Sequence, residues 1–149
     1  HYQSGERVLI DLNQVLFQGL ILREKDLRDF VKDHNWQQYQ DKFVAITCSA
    51  DVIIPTWAYM LVAIAVNPFA KKVVLGDLRE LEEKIFEESL SKIDWQQYQN
   101  AKVVVKGCSK ISVPDSAYVD VVNRLKPIAG SIMFGEACST VPLYKKPKA

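Results

Sequence analysis

At 149 residues, 48% hydrophobic and 25% charged, the chain has the composition of an ordinary globular protein able to bury a core without staples. A net charge of +1 argues against a broad nucleic-acid footprint, and its one basic cluster, Lys145, Lys146 and Lys148, reads as a solvated tail. Three cysteines, an odd number with no C-x-x-C pair, indicate neither a disulfide framework nor a thioredoxin-like motif, and the longest apolar run, residues 57–66, falls well short of the ~20 residues of a membrane span.

In chain order, Val8, Ile10 and Leu12 alternate with Leu9, Asp11 and Asn13, which predicts a strand. Residues 15–22 are a second apolar stretch broken by Gln18-Gly19, and Leu20-Ile21-Leu22 reads as a further short strand. Leu27, Phe30 and Val31 fall at helical spacing within residues 24–34, and Asn35 is placed to cap a short turn that sets Trp36 and Tyr39 on one face. Residues 43–47 form a strand with Cys48 at its C-terminal end. Pro55 then suits the start of a helix that must stop before Pro68. Residues 72–75 are a strand turned by Gly76, and Asp77 with Glu80 three residues on forms a capping box. The next helix carries Leu78, Leu81, Ile85, Phe86 and Leu90 as its buried stripe.

The second half repeats this programme. Asn35-Trp36-Gln37-Gln38-Tyr39-Gln40 returns as Asp94-Trp95-Gln96-Gln97-Tyr98-Gln99, an offset of 59 residues (36 to 95). Pro55, Ala58-Tyr59, Pro68, Ala70 and Gly76-Asp77 return at the same offset as Pro114, Ala117-Tyr118, Pro127, Ala129 and Gly135-Glu136. Strand 102–106, Cys108, helix 115–126 and strand 131–134 complete the second copy. Alternating strands and helices mean βαβ units. The expected fold is α/β: one domain, 1–149, with a mostly parallel sheet and helices packed on it, built from an internal duplication spanning approximately 35–77 and 94–136.

Ligand sites in open α/β sheets lie at the strand C-termini, the edge where Cys48, Cys108 and a loop with Cys138 are expected. Three converging thiols suit zinc or an iron–sulfur cluster, with a fourth ligand from water, substrate, a second subunit, or a carboxylate such as Asp51 or Glu136. Against this stands the commoner role of free cysteine as a small buried hydrophobe. The spacings match no metal motif. Trp36, Tyr39, Trp95 and Tyr98 read as staples packing turns onto the core rather than a stacking platform. His34 is the sole internal imidazole, which argues against a Ser-His-Asp triad, and no glycine-rich phosphate loop is present. Two other functions fit. One is a thiol-dependent enzyme using Cys138. The other is a non-enzymatic interaction module, because the helix Thr56 to Val66 is apolar on every side and needs cover from the N-terminal segment, a homodimer or another protein.

Several passages carry a family resemblance: Gly5-Glu6-Arg7-Val8, Gln18-Gly19-Leu20-Ile21-Leu22-Arg23-Glu24-Lys25-Asp26, Thr47-Cys48-Ser49-Ala50-Asp51 with Ile54-Pro55-Thr56-Trp57-Ala58-Tyr59, and the run from Gly135-Glu136-Ala137-Cys138-Ser139-Thr140-Val141-Pro142 to Lys145. Over essentially its whole length the chain resembles the uncharacterised family catalogued as domain of unknown function 2480, found mainly in Bacteroidetes. The resemblance implies a cytoplasmic bacterial protein whose natural chain begins upstream of His1, and it implies no established activity.

Overall fold

The computed structural model describes residues 3–136 and 139–148. They divide into two compact units, Gln3–Lys84 and the residues from Ile85 onward.

In the N-terminal unit, β1 (Arg7–Asp11), β2 (Phe43–Thr47) and β3 (Lys72–Leu75) form an all-parallel sheet in the order β1-β2-β3. The central place of β2 follows from its sequence: Phe43, Val44, Ala45 and Ile46 are all buried, as a strand covered on both faces requires. After β1 the chain makes a 3₁₀ turn, Leu12–Val15, which buries Leu12 and Val15. Helix α1 (Glu24–Asp33) and helix α2 (Thr56–Val66) then join that core through Leu27, Ala58, Val62 and Val66. The stretch expected to give a further strand at residues 20–22 forms only a bridge between Phe17 and Ile21. Gln18 and Gly19 both take positive φ, closing a tight reversal that leaves Leu20 and Ile21 exposed.

Helix α3 (Leu78–Ser91) starts with the expected capping box: the Glu80 N–H donates to Asp77 Oδ1 at 2.8 Å, and the Asp77 N–H to Glu80 Oε1 at 3.3 Å. Leu81, Ile85, Phe86 and Leu90 are buried as its stripe requires, while Leu78 is exposed.

In the C-terminal unit, β4 (Lys102–Val105) pairs parallel with β5 (Ser131–Glu136), and β5 pairs antiparallel with β6 (Ser139–Lys145). Helix α4 (Asp115–Leu125) lies between β4 and β5 in the chain and packs Leu125 with Ala129 and Ile132. β6 was not expected. Pro142 removes a ladder donor and speaks against a strand, yet β6 is an edge strand, where proline is tolerated, and its register slips beside Ile132 and Met133.

The expected single sheet is therefore replaced by two three-stranded sheets, only one of them all parallel. Each half adds its third strand differently. β1 joins the outer side of β2, whereas β6 joins the outer side of β5, the strand 59 residues on from β3. The local hydrogen bonds nonetheless match at an offset of 59. The Trp36 indole donates to the Val31 carbonyl at 2.7 Å and Trp95 to that of Leu90 at 2.9 Å, and the Gln38 and Gln97 amides each reach the carbonyl three residues back at 2.7 Å. The N–H groups of Asp41 and Asn100, at φ 60° and 59°, both donate to the carbonyl of the residue after the turn's proline, Phe69 and Ile128.

Candidate functional site

At the C-terminal end of the first sheet, β1 and β2 deliver Asp11, Cys48 and Ser49 to one place. The Asp11 carboxylate accepts from the Ser49 N–H at 3.0 Å and from the Asn13 N–H at 2.9 Å. Burial pushes the Asp11 pKa upward, but these two bonds and the Ser49 hydroxyl outweigh it and hold the carboxyl below its ordinary value of 3.8. Burial also raises the Tyr59 phenol, with help from the neighbouring Cys48 and Asp11 charges. Cys48 is half-buried and packs on the core. The arrangement is a clasp: Asp11 ties the end of β1 and its 3₁₀ turn to the loop that leads into α2.

His34, the one described imidazole, is engaged elsewhere. Its Nε2 lies 2.6 Å from the Tyr39 hydroxyl, its ring is framed by Phe30, Trp36 and Tyr39, and burial lowers its pKa. The aromatics are staples, as expected.

Cys48-Ser49 and Cys108-Ser109 share a dipeptide, but the two cysteines do not hold equivalent places. Cys48 follows β2 immediately, whereas Lys106 and Gly107 separate Cys108 from β4. The strand pairings hold the 59-residue register, so Cys108 corresponds to Ser49 and Gly107 to Cys48. Cys48 belongs to the N-terminal unit and an exposed Cys108 to the C-terminal unit. Cys138 lies outside the described residues. Among the described residues no three His, Cys, Asp or Glu side chains are grouped so as to hold a metal ion. Of the carboxylates considered as a fourth ligand, Glu136 instead lies 3.9 Å from Lys106 in an exposed pair.

Two of the concave features among the described residues are lined mainly by apolar side chains. On the N-terminal unit a groove of about 330 Å³ is lined by Glu24 and Arg28 of α1 and by Trp57, Met60, Leu61 and Ile64 of α2. Contrary to the expected cover on every side, α2 leaves Met60 59% and Ile64 70% exposed, with Trp57 beside them. On the C-terminal unit a cavity of about 210 Å³ lies between α3 and α4, walled by Phe86, Leu90, Val113, Ala117 and Val121, with Val105 of β4 and Lys106 and Cys108 just after it.

With this geometry in place, a family model described as protein of unknown function (DUF2480) matches residues 1–146. The chain belongs to that family. Neither the curated proteins nor the solved structures gave a match. Membership carries no activity with it, so the function of this DUF2480 member has to be argued from its surfaces. Among the described residues no helix is long and apolar enough to cross a membrane. Sequence reasoning flagged α2 by its uninterrupted apolar character, but missed which face stays open. It missed the cavity altogether, because its walls come from α3, α4 and the chain between β4 and α4, whose packing no local sequence pattern states.

Proposed function

We propose that this protein is a non-enzymatic interaction module, an internally duplicated α/β protein that self-associates through the outer face of α2. One observation carries the reading. In the sequence TWAYMLVAIAV, which holds no charge, Trp57, Met60 and Ile64 recur at helical spacing and are all exposed. A monomer gains nothing by keeping such a face in water, and exposed apolar stripes rimmed by polar groups mark contact surfaces. The rim favours a second copy as the partner. Glu24 and Arg28 stand one turn apart on α1, paired at 3.0 Å. A two-fold axis through the groove would set Glu24 of each copy against Arg28 of the other, so the surface is complementary to itself in charge as well as in apolar character.

Light scattering over a wide concentration range tests the proposal. The expected result is a concentration-dependent dimer. A chain that stays monomeric into the hundreds of micromolar would refute it, since a contact weaker than about 1 mM holds less than ~4 kcal/mol.

A further inference from the structure

The two halves share a template, and one of them has something the other lacks. Shifted by 59, the cavity walls Phe86, Leu90, Val113, Ala117 and Val121 correspond to Leu27, Val31, Ile54, Ala58 and Val62. Leu27, Ala58 and Val62 are buried in the core that also contains Leu12 and Val15, and Val31 and Ile54 pack against it. In the N-terminal unit the segment from Arg7 to Val15 supplies both the strand alongside β2 and the apolar side chains of that core. β4, 59 residues on from β2, pairs with β5 alone among the described residues, so along its other edge, next to an apolar cavity, no described strand pairs with it.

We propose that the β4 edge and the adjoining cavity form a docking site for an extended acidic–aliphatic segment of a partner protein, bound as β1 and its 3₁₀ turn are bound in the N-terminal unit. The backbone would add as a parallel strand on β4, and a Leu and a Val placed like Leu12 and Val15 would enter the cavity. The register specifies the charge. Arg7 pairs with Phe43 and Asp11 with Thr47, and the counterparts of Phe43 and Thr47 are Lys102 and Lys106. A docked segment therefore meets a lysine at both ends of the strand. An acid at the Asp11 position suits Lys106, whose 3.9 Å exposed pair with Glu136 is weak competition. An acid must also replace the arginine at the first position, which would face Lys102. The recognised pattern is acid-aliphatic-x-aliphatic-acid-Leu, with a second aliphatic anchor three residues later. This site is independent of the α2 face.

The test uses the whole chain and a synthetic peptide copying residues 7–16 with the substitution Arg7→Glu. The readout is the alkylation rate of each cysteine by N-ethylmaleimide, resolved by peptide mapping. At a peptide concentration ten times its dissociation constant, Cys108 alkylation is expected to slow about tenfold while that of Cys48 is unchanged. The peptide retaining Arg7 should bind more weakly, and a Leu12→Asp peptide should not protect. Protection should vanish in a folded Val121→Phe protein and survive in Ile64→Lys, which separates this site from self-association through α2. If Val121→Phe does not fold, the Leu12→Asp peptide on the wild-type chain decides the matter. No slowing at about 1 mM peptide, equal protection by the Leu12→Asp peptide, or accelerated Cys48 alkylation as the peptide displaces β1 would each overturn the proposal.

Discussion

Ile64→Lys isolates the self-association argument because it changes the surface without touching the core. Ile64 is 70% exposed, so most of its side chain awaits burial. Burying the remainder is worth about 2 kcal/mol per protomer on the usual scale for a large aliphatic side chain. A two-fold dimer contains the position twice, so the variant forfeits about 4 kcal/mol and should dissociate roughly a thousandfold more readily. A lysine ammonium forced against the opposing Trp57 and Met60 adds a desolvation penalty in the same direction. Folding stability is a separate quantity. An exposed helix position tolerates lysine within about 0.5 kcal/mol, so the monomer's urea midpoint should be nearly unchanged. Sedimentation equilibrium, with urea denaturation on the same samples, reads both numbers. A variant that dimerises as tightly as wild type, or one that unfolds readily, would refute the reasoning: the first removes α2 from the interface, and the second shows Ile64 to be a core residue.

The remaining predictions follow from the same contacts. Leu12→Ala empties a fully buried position at the junction of β1, α1 and α2 and should cost about 3–5 kcal/mol by urea denaturation. Asp11→Asn should destabilise at neutral pH. Because the folded carboxyl titrates below 3.8, its contribution is complete above that value and is lost as pH falls through the lower folded pKa, so wild-type and variant melting curves should converge in strong acid. The interaction reading also expects substoichiometric zinc and iron in protein purified without oxygen, measured by elemental analysis. One bound metal per chain, released by Cys108→Ser, would favour the thiolate centre at Cys48, Cys108 and Cys138 over the interaction module.

Much of this protein could be read before any coordinate. The repeated Trp-Gln-Gln-Tyr turns, the proline-bounded helix at Thr56–Val66 and the Asp77/Glu80 box are set by neighbours within a few residues, and each appears where its chemistry demands. Such features depend on local sterics and single hydrogen bonds, which a sequence states directly. The pairing of strands does not. Whether a third strand joins β2 or β5, and whether Pro142 sits on an edge, is decided by segments far apart in the chain competing for the same backbone groups. The same holds for the candidate surfaces. Apolar character all round α2 is written in its sequence. That Met60 and Ile64 face water while Val62 and Val66 do not, and that an apolar cavity opens between α3 and α4, only the tertiary structure decided. Burial is a property of what packs against a residue, and the partners come from elsewhere in the chain.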